Sequence, residues 1–434
     1  MSDKSYFRYD PACEQMTAEE IEHLQNRLLR EQLTFCRDHS PYYGKLFRGM
    51  DFSSFTVKDL PSLPVTDKVT LASDPDSFLA VPMRDIEEIV FSSGTTGKPC
   101  KIMYSGRDMQ RLAYNEHRCF TAAGMTPDDV VLLTCTLDRC FIAGLAYYLG
   151  ARSIGASAVR NGLNSIESHA EMIRILKPTI LVGVPSFLRH LGLAMRERGI
   201  DISRVRKLIC IGEPVRDSSF HISGLGKQLE ELWQADVHST YGSSEIVTSF
   251  CECGALCGGH MLPDLVCTEI LDEKGNPVPD GQPGELTLTA LQLTGMPLVR
   301  FRSGDITFKI SEPCPCGRKS PRIGPILGRK AQQLKCKGTT LYPQVLYSVL
   351  DPAPEIAEYY MVVSGEDLSD RIDVYAALKT PGADLKNLEE RLSAACRMHI
   401  PVHEQDLDSV RLQVFGRSRK PVRFVDRRIG GKDA

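Results

Sequence analysis

The segment FSSGTTGKP, residues 91–99, sets hydroxyls at Ser92, Ser93, Thr95 and Thr96, glycines at Gly94 and Gly97, and an amine at Lys98 between two apolar runs. Glycines let a backbone close around an anion, and the hydroxyls and the ammonium are donors suited to phosphate oxygens. The spacing is not that of a Walker P-loop, which needs Gly where Ser92 stands and Ser or Thr where Pro99 stands. Pro99 instead biases Lys98 toward extended backbone. IEEIVF and CKIMYS on either side are therefore expected to be strands, and the loop between them a mobile triphosphate clamp.

A second group of residues has metal-binding chemistry. CECGALCGGH offers Cys253, Cys257 and His260, and CPCGR offers Cys314 and Cys316 on a Gly-bounded turn. Thiolates and imidazole from two sequence-distant pairs suit a tetrahedral structural Zn2+. Four places face five candidates: Cys253, Cys314 and Cys316 take three, and Cys257 or His260 takes the last. Cys251 and Cys267 read as small buried apolar groups.

Elements must hold these groups in place. The 434 residues are 42% hydrophobic and 25% charged, enough for a large core and too many for one compact unit. TAEEIEHLQNRLLREQLTFCRDH predicts a helix, with Thr17 and Glu20 as a capping box and Ile21, Leu24, Leu28 and Leu33 on one side. From Ile86 to about Ala290, apolar runs such as VVLLTC, TILVGV and KLICIG alternate with helical stretches such as SIESHAEMIRIL and GKQLEELW. That alternation predicts an α/β fold with largely parallel sheets. After GNPVPDGQPGELTLTAL, short polar strands and turns predict a β subdomain. EYYMVV, RIDVYAAL and LKNLEERLSAACRMH predict a small C-terminal α+β unit. The division expected is 1–328 for an ATP- and acyl-binding domain and 329–434 for a mobile lid.

Composition excludes some partners. A net charge of -3 leaves no basic surplus for a nucleic acid backbone or an anionic membrane. No apolar run approaches a membrane span, and the first residues lack a signal-peptide pattern, so a cytoplasmic protein is expected. Fifteen cysteines then read as free thiols or metal ligands.

Taken in order, FSSGTTGKP, GEP at Gly212, Glu213 and Pro214, YGSSE at 241–245, VRFRSGD at 299–305 and GRK from Gly328 resemble the signatures of adenylate-forming enzymes. Among these the chain most resembles the phenylacetate:CoA ligase family, whose opening HSPYYGKLF and LPSLPVTDKVTL also resemble. The resemblance implies a large adenylate-forming domain of mixed and parallel sheets with a small lid. It implies an ATP-dependent, AMP-forming ligase that activates an acid, aromatic in most of the family, and transfers it to CoA. It places Tyr241 near the adenine, with Gly242 and Ser243 beside it, Glu245 on Mg2+, Asp305 on the ribose hydroxyls, Arg329 on the nucleotide at the domain junction, and catalytic Lys420 in GRSRKPVRFVDRR. Some members look as though they carry a structural zinc, and His260 stands where the family has a His lining the acyl site. Three departures stand out: Arg419 replaces a Gly, Ala331 and Gln332 follow Gly328-Arg329 where an acid is expected, and Asp138 and Arg139 interrupt TLDRCFIAGLAYYLG, the implied acyl pocket. A carboxylic acid, ATP and CoA are the expected partners, and a homodimer is left open. The alternatives are an adenylating ligase whose acceptor is a cofactor or carrier protein, and a non-catalytic nucleotide-binding regulator.

Overall fold

The computed structural model describes residues 6–92, 100–336, 339–365, 370–380, 382–396, 398–416 and 421–428. The chain forms two compact units, one ending at Ile326 and one running from Leu327.

At the centre of the first unit is a six-stranded sheet in the order Ser157–Arg160, Val130–Leu133, Ile180–Gly183, Lys207–Ile211, Asp236–Ser243, Thr248–Cys251. Neighbours are parallel except for the last pair. Successive residues of a strand face opposite sides, and both sides here are covered. Val131, Leu133, Ile180, Val182, Ile209 and Ile211 pack into a core with Tyr114, Phe120 and Tyr147. Leu132, Leu181, Leu208 and Cys210 pack into another with Leu188, Leu191 and Trp233. Burial on both faces is why these strands read as unbroken apolar runs rather than alternating ones.

The β subdomain is a second sheet in which Thr66–Asp67, Phe301–Thr307, Gly284–Ala290 and Val266–Leu271 lie side by side. Its first pair is parallel, with Thr66 opposite Phe301 and Asp67 opposite Arg302. Strands Ile86–Ser92 and Cys100–Ser105 form the expected antiparallel hairpin, ending with Ser92 opposite Cys100.

The capping box at Thr17 and Glu20 starts a helix at Ala18–His39, as its pattern predicts. A longer-range anchor comes from the helix Gly106–Ala122, whose sequence GRDMQRLAYNEHRCFTA reads as polar. Its Asp108, Arg111, Asn115, Glu116 and Arg118 are all buried, and several of them are held by distant backbone. Asp108 caps the helix through Ser105 and accepts from the amides of Thr294 at 2.8 Å and Gly295 at 2.7 Å. Arg111 donates to the carbonyls of Leu291, Ile246, Val247 and Leu265. Burying that guanidinium depresses its pKa to about 10, and the ring of carbonyls is what makes its burial tolerable.

The second unit has a four-stranded sheet in the order Val402–Glu404, Arg371–Leu378, Ile356–Ser364, Phe424–Asp426. Helices Pro343–Leu350 and Lys386–Cys396 contribute Leu346, Leu350, Leu388 and Leu392 to its core. Among the described residues no helix is long and apolar enough to cross a membrane.

Candidate active site

The segment 241–245 lies at the end of strand Asp236–Ser243, in the central sheet. There the backbone leaves the ladder and can present side chains at the carboxyl edge of parallel strands, where ligands of α/β sheets bind. The Tyr241 hydroxyl donates to Asp305 at 2.9 Å, and its ring stacks on Phe250 at 6.1 Å. Burial and then Asp305 hold that phenol well above its ordinary pKa, so it remains a donor. Asp305 comes from strand Phe301–Thr307, just after Gly304, whose φ of +78° suits glycine. The residues implied for adenine and ribose are thus joined by one hydrogen bond across two sheets.

Glu245 is 8% exposed. Burial alone raises a carboxyl pKa, but Lys68 at 2.9 Å and the Ser92 hydroxyl beside it leave this one below its usual range, so it is ionised. Ser243 also donates to its Oε2 at 3.1 Å. An ionised, largely dehydrated carboxylate is of the kind that fits Mg2+, which takes one or two carboxylates together with phosphate oxygens. The chain just beyond Glu245 is fixed by Arg111 through the carbonyls of Ile246 and Val247, and just before it the Tyr104 hydroxyl donates to the Ser244 carbonyl at 2.7 Å.

Gly212 has a φ of +76°, and Glu213 accepts from the amide and hydroxyl of Ser186 at 2.9 and 3.0 Å. That carboxylate therefore sits on the first turn of helix Pro185–Glu197, where an anion is favoured, and it shapes the GEP turn. Ser92 is buried at the end of its strand. Ser93, Gly94, Thr95, Thr96, Gly97, Lys98 and Lys420 lie outside the described residues, as do Arg417 and Arg419. Arg329 belongs to the second unit. Asp138 and Arg139, with side chains 73% and 54% exposed, pair with each other at 3.8 Å on the surface.

Cys253, His260, Cys314 and Cys316 come together so that their ligand atoms all lie within 4.8 Å of one another. Cys253 and Cys314 Sγ are 3.6 Å apart, and Cys316 Sγ is 3.4 Å from His260 Nε2. With Zn–S near 2.3 Å and Zn–N near 2.0–2.1 Å, a tetrahedron has edges of about 3.8 Å between thiolates and about 3.6 Å from thiolate to imidazole. The Ser320 hydroxyl meets His260 Nδ1 at 3.0 Å and so turns Nε2 toward the thiols. Burial, then Arg318 and Arg322, push the imidazole pKa down to about 3 and keep it neutral, as ligation requires. Of the two candidates left open for the fourth place, His260 is the one inside the cluster. Cys257 lies at its margin, 3.8 Å from Cys314, where it receives Arg322 at 2.8 Å. Cys251 and Cys267 are buried packing residues.

A family model of AMP-binding enzymes matches residues 52–295. The chain is 31% identical over 365 residues to phenylacetate-coenzyme A ligase of Thermus thermophilus, across 82% of this chain and 80% of that protein. It is 27% identical over 388 residues to the phenylacetate-coenzyme A ligase of Escherichia coli, across 86% and 85%. The crystal structure of 2-hydroxyisobutyryl-CoA ligase in the postadenylation state, with R3-HIB-AMP, has a TM-score of 0.86 over 99% of this chain and 94% of that chain. At 22% identity this is a likeness of fold. With fold, motif order and relatives in agreement, the chain belongs to the AMP-binding enzyme family, in its phenylacetate-coenzyme A ligase group.

Proposed function

We propose that the protein is an ATP-dependent, AMP-forming carboxylate:CoA ligase acting on an aromatic acid. The observation that carries this reading is the hydrogen bond from Tyr241 to Asp305 with the ionised, buried Glu245 four residues on. This supports reading Tyr241 as the adenine neighbour, Asp305 as the ribose acceptor and Glu245 as the metal carboxylate.

In the first half-reaction an oxygen of the acid's carboxylate attacks the α-phosphorus, and the bond to the β-phosphate oxygen breaks, giving acyl-adenylate and pyrophosphate. Asp305 accepts from the ribose hydroxyls, and the ring of Tyr241 fixes the adenine. Lys98 in the clamp and Lys420 on the lid offset charge on the phosphoryl oxygens as it redistributes. Mg2+, when bound through Glu245, neutralises and orients the triphosphate. In the second half-reaction the CoA thiolate attacks the acyl carbon and AMP leaves. Lys suits a charge that must come and go, because its ammonium is a compact point on a flexible stem. The second unit, from about residue 329, acts as the moving lid.

Cys253, His260, Cys314 and Cys316 hold a structural Zn2+ that staples the turn at 314–316 to the chain after strand Thr248–Cys251. The cysteines whose side chains are described form no disulfide, which suits the cytoplasm.

Pyrophosphate release over a panel of aryl and alkyl acids, with and without CoA, tests the function. Release with aromatic acids, and thioester only when CoA is present, is the expected result. Adenylation without transfer to CoA would point to another acceptor, and no release with any acid would end the ligase reading.

A further inference from the structure

Lys68 lies beside the nucleotide motifs but belongs to none of them. Its ammonium is 2.9 Å from Oε1 of Glu245, and the two side chains are 21% and 10% exposed. Lys68 opens the short helix Lys68–Ser73 directly after strand Thr66–Asp67. That strand runs parallel to the one carrying Asp305, with Asp67 opposite Arg302. The pair also adjoins both described ends of the hairpin around segment 93–99. Ser92 ends one strand opposite Cys100 in register, and Cys100 is close enough to feel both charges. A lysine nearly 180 residues away in sequence thus occupies the carboxylate that the metal needs.

Two cations cannot share that oxygen at close range. Mg2+ binds carboxylate oxygen at about 2.0–2.1 Å, so a Mg2+ held by Glu245 would compete with the Lys68 ammonium for that oxygen and repel it. The strongest acceptors then nearby are phosphate oxygens of the same metal-nucleotide complex, and a four-carbon stem lets the ammonium swing onto them. We infer that Lys68 is a pyrophosphate-binding residue stored on Glu245. Before the nucleotide arrives it neutralises the carboxylate. When Mg·ATP binds, it yields Glu245 to the metal and holds oxygens of the β- and γ-phosphates, which it retains as pyrophosphate departs. No covalent bond to Lys68 forms or breaks. This inference rests on the nucleotide-site reading above and extends it to a residue of the LPSLPVTDKVTL stretch to which that reading gives no role.

Calorimetric titration with Mg·pyrophosphate and with Mg·ATP tests it without acid or CoA. Lys68→Met should bind Mg·pyrophosphate about 10- to 100-fold more weakly than wild type, the loss of one charge-assisted hydrogen bond. Lys68→Arg should recover most of it. Free Mg2+, titrated alone, should bind Lys68→Met at least as tightly as wild type, since its competitor for Glu245 is gone. If Lys68→Met misfolds because Glu245 is left buried and alone, the double variant Lys68→Met/Glu245→Gln is compared with Glu245→Gln, and the same loss is expected. Wild-type affinity for Mg·pyrophosphate in Lys68→Met, or in the double variant relative to its reference, overturns the inference and leaves Lys68 a counter-ion only. A wild-type protein that binds neither Mg·ATP nor Mg·pyrophosphate overturns the nucleotide-site reading itself.

Discussion

The surroundings of Glu245 and the cluster at Cys253, His260, Cys314 and Cys316 are both buried gatherings of metal-ligating groups, and they are built in opposite ways. Glu245 is one carboxylate paired with a lysine at 2.9 Å and a serine hydroxyl at 3.1 Å. The cluster supplies four ligands, fixes its imidazole from behind with Ser320 at 3.0 Å, and leaves no place for substrate. Open coordination with an exchangeable partner belongs to chemistry, whereas closed coordination belongs to architecture. The difference teaches that burial and metal-binding residue type do not by themselves mark an active site. What marks it is whether the first partner can be replaced.

Breaking the open site should have the largest effect. Glu245→Gln keeps the shape and removes the charge, so Mg2+-dependent ATP–pyrophosphate exchange should fall about 10²-fold or more while the folded structure is retained by circular dichroism. Exchange at the wild-type rate would remove Glu245 from the metal site.

The next effect is confined to one half-reaction. Lys420→Ala should slow acyl-adenylate formation on the order of 10²-fold. Given synthetic acyl-adenylate and CoA, the same variant should form thioester at nearly the normal rate. Equal damage to both steps would make the lysine structural.

The closed site should respond in stability rather than chemistry. Metal analysis of protein prepared without chelator should find about one zinc per chain, four protein ligands per ion being the rule for structural sites. Cys316→Ser should lower both zinc content and melting temperature, and Cys257→Ser should leave zinc content unchanged. Zinc lost from Cys257→Ser and kept in a His260 variant would reverse the choice of fourth ligand.

The smallest effect comes from a buried histidine outside both sites and is a control for His260. His238 is pushed down to about 4 by burial and then by Lys207. Unfolded histidine titrates near 6.5, so between these values the unfolded chain binds the extra proton and stability falls as pH falls. The loss is on the order of 3 kcal/mol once both limits are passed. Urea midpoints measured from pH 7 to 4.5 should fall less steeply in His238→Gln than in wild type. Parallel curves would mean that His238 is not the group responsible.

Much of the fold was legible because it depends on local signals. Runs such as TILVGV and KLICIG announced strands covered on both faces, and the Thr17–Glu20 box marked a helix start. The residues proposed for the site come from contiguous motifs, at 91–99, 212–214, 241–245 and 301–305, of which 93–99 lie outside the described residues. Lys68 was not legible, because nothing in VTDKVT indicates a partner at residue 245, and that contact exists only when two sheets are assembled. The helix Gly106–Ala122 was similarly opaque. Its charges suggest solvent, yet Arg111 and Asp108 are buried because distant carbonyls and amides satisfy them. The choice between Cys257 and His260 depended on how the strand Gly259–His260 pairs with Arg322–Ile323, a register that spacing does not contain.

Arg111 has one more consequence. Its guanidinium gathers carbonyls from residues 246, 247, 265 and 291, so three stretches of chain can leave water together only when this one helix is docked. The carboxylate at 245 is thereby tied to the cooperativity of the whole first unit. A partly folded chain that lacks any of those stretches loses the hold that Arg111 places on the residues just after Glu245, and is left with the local contacts from Lys68, Ser243 and Tyr104.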